Sequence, residues 1–490
     1  MRQIITLVLS FILAASTSFC QNKNTVNNTS DNHQEVSKLF IEGINSASAE
    51  RQKALVPLVF ADELITSKGA DALVGLFQTL HQQFAPLNLH HADINQFNKP
   101  EGTVYVMHIY AKKKSEIMWQ DFQLYVTAPP AQKIKQLAFI AEVSEPINLP
   151  NGAIQQKETL DWLDKYIKNL HSEYDLSGSI LIAEKGEVLY ERHFGYADLD
   201  KKVKISNQTL FNIASGGKMF TAIAIAKLAE QGKLKYDDKI TKYLNGFSDK
   251  SKADKITIHH LLSHTSGIAE YWSGQNDKAV FSATNINDHL KIVYNAGFDF
   301  EAGKQYQYCN SNFILLGAII EKVTEKSFYD VIQSEIFKPA GMTASGYFNY
   351  GSKNVAIPLT REEQENTWVE VTRHGIKGSS AGGAYSNGRD ILKFSRVLKN
   401  NALISDKTFK DMLTPKNKGL DVTEDYGYGF IIQKSAQEIT YGHGGTADGV
   451  NFEFRYFPGQ DITLVVFSNQ NNGAYDDLKR NAIKLISGDR

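Results

Sequence analysis

Along the first part of the chain, the spacing of hydrophobic residues changes from helical to strand-like. Apolar residues recur every three or four positions over 36–44 and 73–80, which predicts that residues 35 to 95 are mostly helical. Strand-like runs rich in Val, Ile, Tyr and Phe then cover 103–111, 121–126 and 136–143. Helices followed by strands predict a small α+β accessory domain over residues 35–145, with an NTF2-like or cystatin-like shape.

A linker and a larger domain follow. Pro146, Pro150 and Gly152 interrupt any regular element between residues 146 and 154. The later pattern predicts a helix at 160–170, a hairpin at 179–194, helices over 210–345, strands at 427–434, 450–457 and 462–467, and a helix at 475–486. Because strands come from both ends of residues 155–490, we expect an α+β domain with one antiparallel sheet, flanking helices and a helical lobe.

The first twenty residues have the features of a secretion signal. Met1-Arg2 gives a positive start, and the apolar run Ile4–Ala15 is shorter than the roughly 20 residues that cross a bilayer. We therefore predict a signal peptide over residues 1–20, a polar tether over 21–34, and export to the periplasm or the medium. The alternative is lipid anchoring through Cys20, although Phe19 is bulky for a lipoprotein signal.

Charge and cysteine content exclude several classes of protein. The 53 Lys and Arg residues balance 54 Asp and Glu residues, so no basic surface indicates a nucleic-acid partner. With only two cysteines, a disulfide scaffold and a Cys-rich zinc module are both excluded.

The strongest chemical feature is Ser215-Gly216-Gly217-Lys218 at the start of an apolar, buried helix. Residues three apart share a helix face, so the Lys218 amine can reach the Ser215 hydroxyl and remove its proton. The two glycines indicate that another element or a substrate approaches the backbone closely. Taken alone, a Ser-x-x-Lys spacing in a chain of this size is also expected by chance.

Two further motifs indicate catalysis only in combination with the Ser-x-x-Lys motif. Tyr308-Cys309-Asn310 precedes the apolar helix 313–323 and offers a proton shuttle and an amide, or else a simple aromatic cap. His443-Gly444-Gly445-Thr446 lies between two predicted strands and can either hold an oxyanion or form a hairpin turn. Tyr385-Ser386-Asn387 repeats the Tyr-x-Asn pattern in a glycine-rich loop. This tripeptide, called the decoy below, shows that the pattern alone does not identify a catalytic tyrosine.

The histidines give little support for a metal site. His259, His260 and His264 include residues at helical spacing, but no acidic or third ligand lies at motif distance. A structural role is favoured for them. We expect no metal, nucleotide or flavin cofactor.

In this order, the three motifs resemble those of the serine β-lactamase and penicillin-binding-protein superfamily, in the branch with class C β-lactamases, D-amino-acid peptidases and family VIII-type esterases. The segments 256–267, 382–392 and 452–460 agree with this resemblance, which covers residues 155–490. The resemblance implies that Ser215 attacks a carbonyl while Lys218 and Tyr308 share the acid–base work. The resemblance also implies that Asn310, His443 and Gly445 bind the substrate. The backbone N–H groups of Ser215 and Thr446 would form the oxyanion hole.

Two departures from the family pattern narrow the expected substrates. Cys309 occupies a position where relatives usually have a small residue, and His443 stands where many have lysine. Without that permanent charge, we expect poor penicillin hydrolysis. The leading interpretation is an exported serine hydrolase of a small ester, amide or peptide, with D-amino-acid peptides as one candidate. The alternatives are a cell-wall D,D-carboxypeptidase, a β-lactamase, or a penicillin-recognising protein without turnover. Besides a small-molecule substrate, association with the cell wall or the outer membrane is open.

Overall fold

The structure is a computed structural model. It describes the following residues: 23–24, 32–99, 102–113, 119–143, 149–150, 152–272, 277–349, 352, 354–362, 367–371, 375–420, 424–434, 438–471 and 473–488. The predicted signal peptide, Cys20 and much of the predicted tether lie outside these residues. Among the described residues, no helix combines the length and the apolar character needed to cross a membrane.

The chain divides into two compact units. One contains residues 1–174 and 476–490, and the other contains residues 175–475. The first and last helices of the predicted 155–490 domain are therefore grouped with the first unit. The proposed boundaries of the accessory domain stay a prediction.

The first unit has helices followed by an antiparallel sheet, as the pattern predicts. Its helices are α1 Asn32–Asn45, α2 Ala49–Val59, α3 Asp62–Lys68, α4 Ala70–Phe84 and α5 Lys157–Tyr174. Its strands pair in sequence order: β1 Lys23–Asn24, β2 Asn88–Lys99, β3 Gly102–Lys112, β4 Trp119–Val126 and β5 Ile134–Val143. The helical prediction for residues 35–95 is wrong beyond Phe84, since Pro86 cannot continue a helix and Asn88 begins a strand.

The second unit is built on a seven-stranded sheet. Its strands lie in the order β14, β15, β16, β17, β18, β6, β7, and every neighbouring pair is antiparallel. These strands are β6 Gly178–Glu184, β7 Glu187–Phe194, β14 Asp425–Tyr426, β15 Ile431–Lys434, β16 Ile439–Ala447, β17 Val450–Phe457 and β18 Ile462–Ser468. The sheet therefore joins both ends of this stretch, which confirms the predicted α+β class.

Short strands and helices fill the sequence between the two halves of the sheet. The short strands are β8 Tyr196–Asp198, β9 Val203–Lys204, β10 Phe211–Asn212, β11 Leu359–Glu362, β12 Thr367–Glu370 and β13 Tyr385–Ser386. The helices are α6 Lys218–Glu230, α7 Lys250–Ala253, α8 Ile258–Leu262, α9 Asp277–Ser282, α10 Ile286–Val293, α11 Asn310–Thr324, α12 Phe328–Ile332, α13 Lys338–Ala340, α14 Gly388–Lys399 and α15 Asp406–Met412. The final helix, α16 Gly473–Ser487, follows the last strand of the sheet.

Two of these helices set the position of the chemistry. Helices α6 and α11 are apolar on almost every face, which is typical of helices enclosed by other elements. Both belong to one core with α8 and the inner face of the sheet. The N-termini of α6 and α11 therefore hold Ser215 and Asn310 on a rigid support.

Candidate active site

Ser215 and Lys218 lie on consecutive turns of one short helical segment. Residues 214–217 form a 3₁₀ turn that leads directly into α6. The Lys218 Nζ atom is 3.0 Å from the Ser215 Oγ atom. Ser215 is half-buried, so its hydroxyl sits at the boundary between the core and the solvent. The contact predicted from the Ser-x-x-Lys spacing is present.

The other two partners of Lys218 can only accept hydrogen bonds. Its Nζ donates to Asn310 Oδ1 at 2.7 Å and to the Ala381 carbonyl at 2.6 Å. A neutral amine has two N–H groups and one lone pair. Because the two acceptors take the N–H groups, the lone pair is left for the Ser215 O–H. This arrangement makes Lys218 a base aimed at Ser215.

Burial favours the neutral form of Lys218. The side chain is fully buried, and this desolvation lowers the pKa of the Lys218 amine from 10.5 to about 7, against the opposing effect of Glu270. The amine therefore exchanges protons near neutral pH. A general base is most effective when its pKa lies near the operating pH.

Tyr308 lies close to both the nucleophile and the lysine. Burial raises the pKa of Tyr308 above its usual range, and the nearby Ser215 side chain opposes that rise. The phenol is therefore protonated at neutral pH. The Lys218 Nζ lies 4.9 Å from the centre of the Tyr308 ring, so Ser215, Lys218 and Tyr308 form one cluster.

Asn310 is the first residue of α11, which begins three residues earlier than the sequence predicts. Its side-chain oxygen faces Lys218, and its side-chain nitrogen donates to Glu270 Oε2 at 3.1 Å. The Asn310 backbone N–H donates to the same oxygen at 2.7 Å. Glu270 thus joins the site through Asn310.

His443 lies inside a strand, and the expected loop between two strands is wrong. Strand β16 runs through the whole motif, with His443 opposite Phe454 and Thr446 opposite Asn451. The His443 Nε2 atom is 3.0 Å from the Tyr426 hydroxyl. Burial, with the nearby Lys218 charge, lowers the pKa of His443 to about 3, so the imidazole is neutral at pH 7.

Gly445 brings β16 against the nucleophile. A Cβ atom at this position would lie 2.2 Å from the Ile213 carbonyl oxygen and 3.0 Å from the Ser215 nitrogen. Only glycine allows this approach. Thr446 follows on the same strand and is exposed. The strand edge thus runs beside the Ser215 N–H, where the resemblance expects the oxyanion hole.

The two glycines of the Ser-x-x-Lys segment are also closely approached. A Cβ atom on Gly216 would lie 2.3 Å from the Phe452 ring, and one on Gly217 would lie 3.2 Å from the Gly382 Cα. The expectation that another element packs against them is correct. Ala214 has a φ of 42°, a strained value for a residue with a side chain, and its N–H is held by Asn212 Oδ1 at 2.8 Å.

Comparison with known proteins agrees with this geometry. The family model of beta-lactamases matches residues 163–487. The chain belongs to the beta-lactamase family. It is 32% identical over 332 residues to penicillin-binding protein 4* of Bacillus subtilis (strain 168), an alignment that covers 63% of this chain and 71% of that protein.

Solved structures show the same fold. A penicillin-binding protein from Bacillus halodurans matches with a TM-score of 0.60 at 30% identity, over 66% of this chain and 98% of that one. A D-amino acid amidase from Ochrobactrum anthropi SV3 matches with a TM-score of 0.58 at 21% identity, over 66% of this chain and 99% of that one. The amidase likeness shows the fold alone. The predicted membership of the serine β-lactamase and penicillin-binding-protein superfamily is confirmed.

His259, His260 and His264 each have a local partner. The His259 Nδ1 atom is 2.6 Å from the Tyr428 hydroxyl, and the His260 Nδ1 accepts the Thr257 N–H at 3.2 Å in a capping box. The His264 Nδ1 accepts the Cys309 N–H at 3.1 Å. These contacts fit the structural role favoured for them.

Cys309 and the decoy tripeptide also have structural positions. The Cys309 thiol is buried, donates to the Ile268 carbonyl at 3.3 Å, and has its pKa raised to about 11 by burial. In the decoy, Tyr385 and Ser386 form β13. Asn387 caps α14 by accepting the Asp390 N–H at 2.9 Å. The decoy therefore builds a strand and a helix start.

Three contributors to the site were not found from the sequence. Glu270 lies three residues after the segment 256–267, Ala381 contributes only its carbonyl, and Tyr426 lies just before a predicted strand. Only the tyrosine-glycine run 426–429 marks one of them in the sequence. A backbone carbonyl leaves no trace in a sequence pattern.

Proposed function

We propose that this protein is a serine hydrolase that acts through an acyl-enzyme formed on Ser215. The observation that carries the proposal is the Lys218 amine, which is buried, directed at Ser215 Oγ, and held there by two acceptors. A serine with such a neighbour is an activated nucleophile. The beta-lactamase family to which the chain belongs supports the same chemistry.

The first step forms the acyl-enzyme. Ser215 Oγ attacks the substrate carbonyl carbon while its proton passes to the Lys218 nitrogen. The carbonyl electron pair moves to oxygen and is stabilised by the backbone N–H groups of Ser215 and Thr446. When the tetrahedral intermediate collapses, the bond to the alcohol or amine breaks. Tyr308 relays a proton from Lys218 to that leaving group.

The second step releases the product. Water attacks the acyl carbonyl while its proton passes to the neutral Lys218 amine. That proton then returns, directly or through the Tyr308 hydroxyl, to the Ser215 oxygen, which leaves as the hydroxyl. In both steps, Asn310, His443 and Gly445 are proposed to bind the substrate. All residues return to their starting protonation states.

The proposed substrate is a small ester or amide, with D-amino-acid peptides as one candidate. The neutral His443 supplies no permanent positive charge for a substrate carboxylate, which disfavours penicillins. The fold shared with a D-amino acid amidase is consistent with amide substrates. The other candidates are a D,D-carboxypeptidase or β-lactamase and a penicillin-binding protein without turnover. They draw support from the similarity to penicillin-binding protein 4*.

Export belongs to the same proposal. The basic and apolar start of the chain supports a signal peptide over residues 1–20 and a location in the periplasm or outside the cell, with lipid anchoring through Cys20 as the variant form. We also propose that the protein acts without a cofactor, because acyl transfer here needs only its own side chains. We propose no nucleic-acid partner, because 53 Lys and Arg residues balance 54 Asp and Glu residues.

Steady-state hydrolysis of three probes tests the substrate assignment. We expect turnover of 4-nitrophenyl butyrate or D-phenylalanine 4-nitroanilide, and a kcat/KM for benzylpenicillin about 10²-fold lower. Efficient penicillin turnover would contradict the assignment. A stable benzylpenicilloyl adduct, with neither nitrophenyl probe hydrolysed, would instead establish a binding protein without turnover.

A further inference from the structure

Glu270 is held rigidly beside the N-terminus of α11. The buried Ser311 hydroxyl donates to the Ala269 carbonyl at 2.7 Å and accepts the Tyr271 N–H at 2.8 Å. The backbone on both sides of Glu270 is therefore fixed to the helix that carries Asn310. The Glu270 Oε1 atom also accepts the Trp272 N–H at 3.1 Å. A carboxylate anchored in this way has a defined position.

The contacts of Glu270 fix the orientation of the Asn310 amide. A carboxylate only accepts hydrogen bonds, so the Asn310 NH₂ group must face it, and this contact measures 3.1 Å. The Asn310 oxygen must then point the other way, toward the Lys218 Nζ at 2.7 Å. If the amide were reversed, an NH₂ group would face the lysine. The lone pair of Lys218 would no longer be reserved for Ser215.

Glu270 also supplies the charge that Lys218 faces. Five titratable side chains surround the amine: Glu270, Tyr308, Cys309, His264 and His443. Burial raises the pKa of Tyr308 and of Cys309, and it lowers the pKa of His264 and of His443, so all four are neutral near pH 7. Among the described residues around Lys218, the carboxylate is the remaining charge.

We propose that Glu270 is a positioning residue that acts through Asn310, holding the amide oxygen toward Lys218 and setting the protonation of this base. The inference rests on the proposed function, since it assumes that Lys218 activates Ser215. A role limited to capping α11 is the alternative. The Glu270 carboxylate accepts the Asn310 backbone N–H at 2.7 Å, which such a cap requires.

The test is the pH dependence of kcat/KM for 4-nitrophenyl butyrate in the full chain. Glu270→Gln keeps the shape of the side chain but removes its charge. We expect the plateau to fall about 10- to 100-fold, because a hydrogen bond to a charged group is lost and the amide can reverse. Without the carboxylate, Lys218 loses its proton more easily. The acidic limb should therefore move at least about 0.5 pH unit lower.

Controls separate the two roles. Glu301→Gln, at an exposed position, should leave both the plateau and the limb unchanged. Glu270→Asp keeps the charge with a shorter reach, so its plateau should fall while its limb moves less than that of Glu270→Gln. An unmoved limb in a folded Glu270→Gln protein, or an unchanged plateau, would overturn the inference. If Glu270→Gln does not fold, the plateau of Glu270→Asp decides, and an unchanged plateau in that variant would overturn the inference.

A separate measurement keeps the two claims apart. If Ser215→Ala retains hydrolysis, the proposed function itself fails. If Ser215→Ala is inactive while Glu270→Gln keeps the wild-type profile, only the role of Glu270 is wrong.

Discussion

The Lys218 amine lies 3.0 Å from the Ser215 hydroxyl. Its other two hydrogen-bond partners are the Asn310 amide oxygen and the Ala381 carbonyl. Among the described residues, no charged group lies within hydrogen-bond distance of this amine. An ion pair with a carboxylate would have kept the lysine protonated. The neutral acceptors and the burial instead make it a base near neutral pH. This pairing is the centre of the mechanism.

Replacing Tyr308 with phenylalanine tests the proton relay. We expect Tyr308→Phe to lower kcat by about 10²-fold or more, because general acid–base catalysis contributes about 10²- to 10⁴-fold. Steady-state kinetics with 4-nitrophenyl butyrate measures this loss. The matched control is Tyr385→Phe in the decoy tripeptide, which should keep kcat within about threefold. Equal kcat values in wild type and Tyr308→Phe would remove Tyr308 from the mechanism.

Replacing Lys218 with methionine tests how far the buried amine destabilises the folded protein. The pKa of Lys218 falls from 10.5 in the unfolded chain to about 7 in the folded one, so the lysine destabilises the fold fully below pH 7, and this effect fades as the pH rises to 10.5. We therefore expect Lys218→Met to be inactive and yet more stable. Its Tm should exceed that of wild type by about 2 °C or more at pH 6, with a smaller difference at pH 10.

The measurement is thermal unfolding at several pH values, followed by circular dichroism. An equal or lower Tm for Lys218→Met at pH 6 would mean that the buried lysine does not destabilise the folded protein. A difference that grows with pH would contradict the sign of the shift.

Gly445→Ala tests the close approach of β16 to the nucleophile. The added Cβ would lie 2.2 Å from the Ile213 carbonyl oxygen and must displace the strand. We expect kcat/KM to fall about 10²-fold, comparable to the loss of one oxyanion donor, together with a lower Tm. The control is Gly75→Ala in α4, where a Cβ meets no atom within 4 Å. Normal activity in Gly445→Ala would argue against this placement of the oxyanion hole.

The periodic parts of the fold were predictable from the sequence. The strand Val450–Phe457 and the hairpin at 178–194 appear nearly as predicted, because long apolar runs bounded by turn residues specify strands well. The helix starting at Lys218 follows from its apolar residues. The pattern predicts a strand from residue 427, but residues 427–430 precede β15, and Gly429 has a φ of 76°. A turn conformation of this kind does not alter the hydrophobic pattern.

The site was predictable where a motif carries it. Ser215, Lys218, Tyr308 and Asn310 were found because their spacing matches a family, and the structure brings them together. Glu270 and the Ala381 carbonyl were not found, because their roles depend on contacts between segments far apart in the chain. The glycines next to His443 predict a loop, because adjacent glycines are typical of turns. In β16, Gly445 instead allows the strand to approach the Ser215 backbone.

The most direct test of the central claim is the intact mass of residues 21–490 after treatment with a fluorophosphonate probe, beside the Ser215→Ala variant. An activated serine displaces fluoride and forms a covalent phosphonate ester. We expect one adduct per chain in the wild type and none in Ser215→Ala. An adduct of equal yield in Ser215→Ala, or no adduct in a folded wild type with a range of probe sizes, would contradict the account.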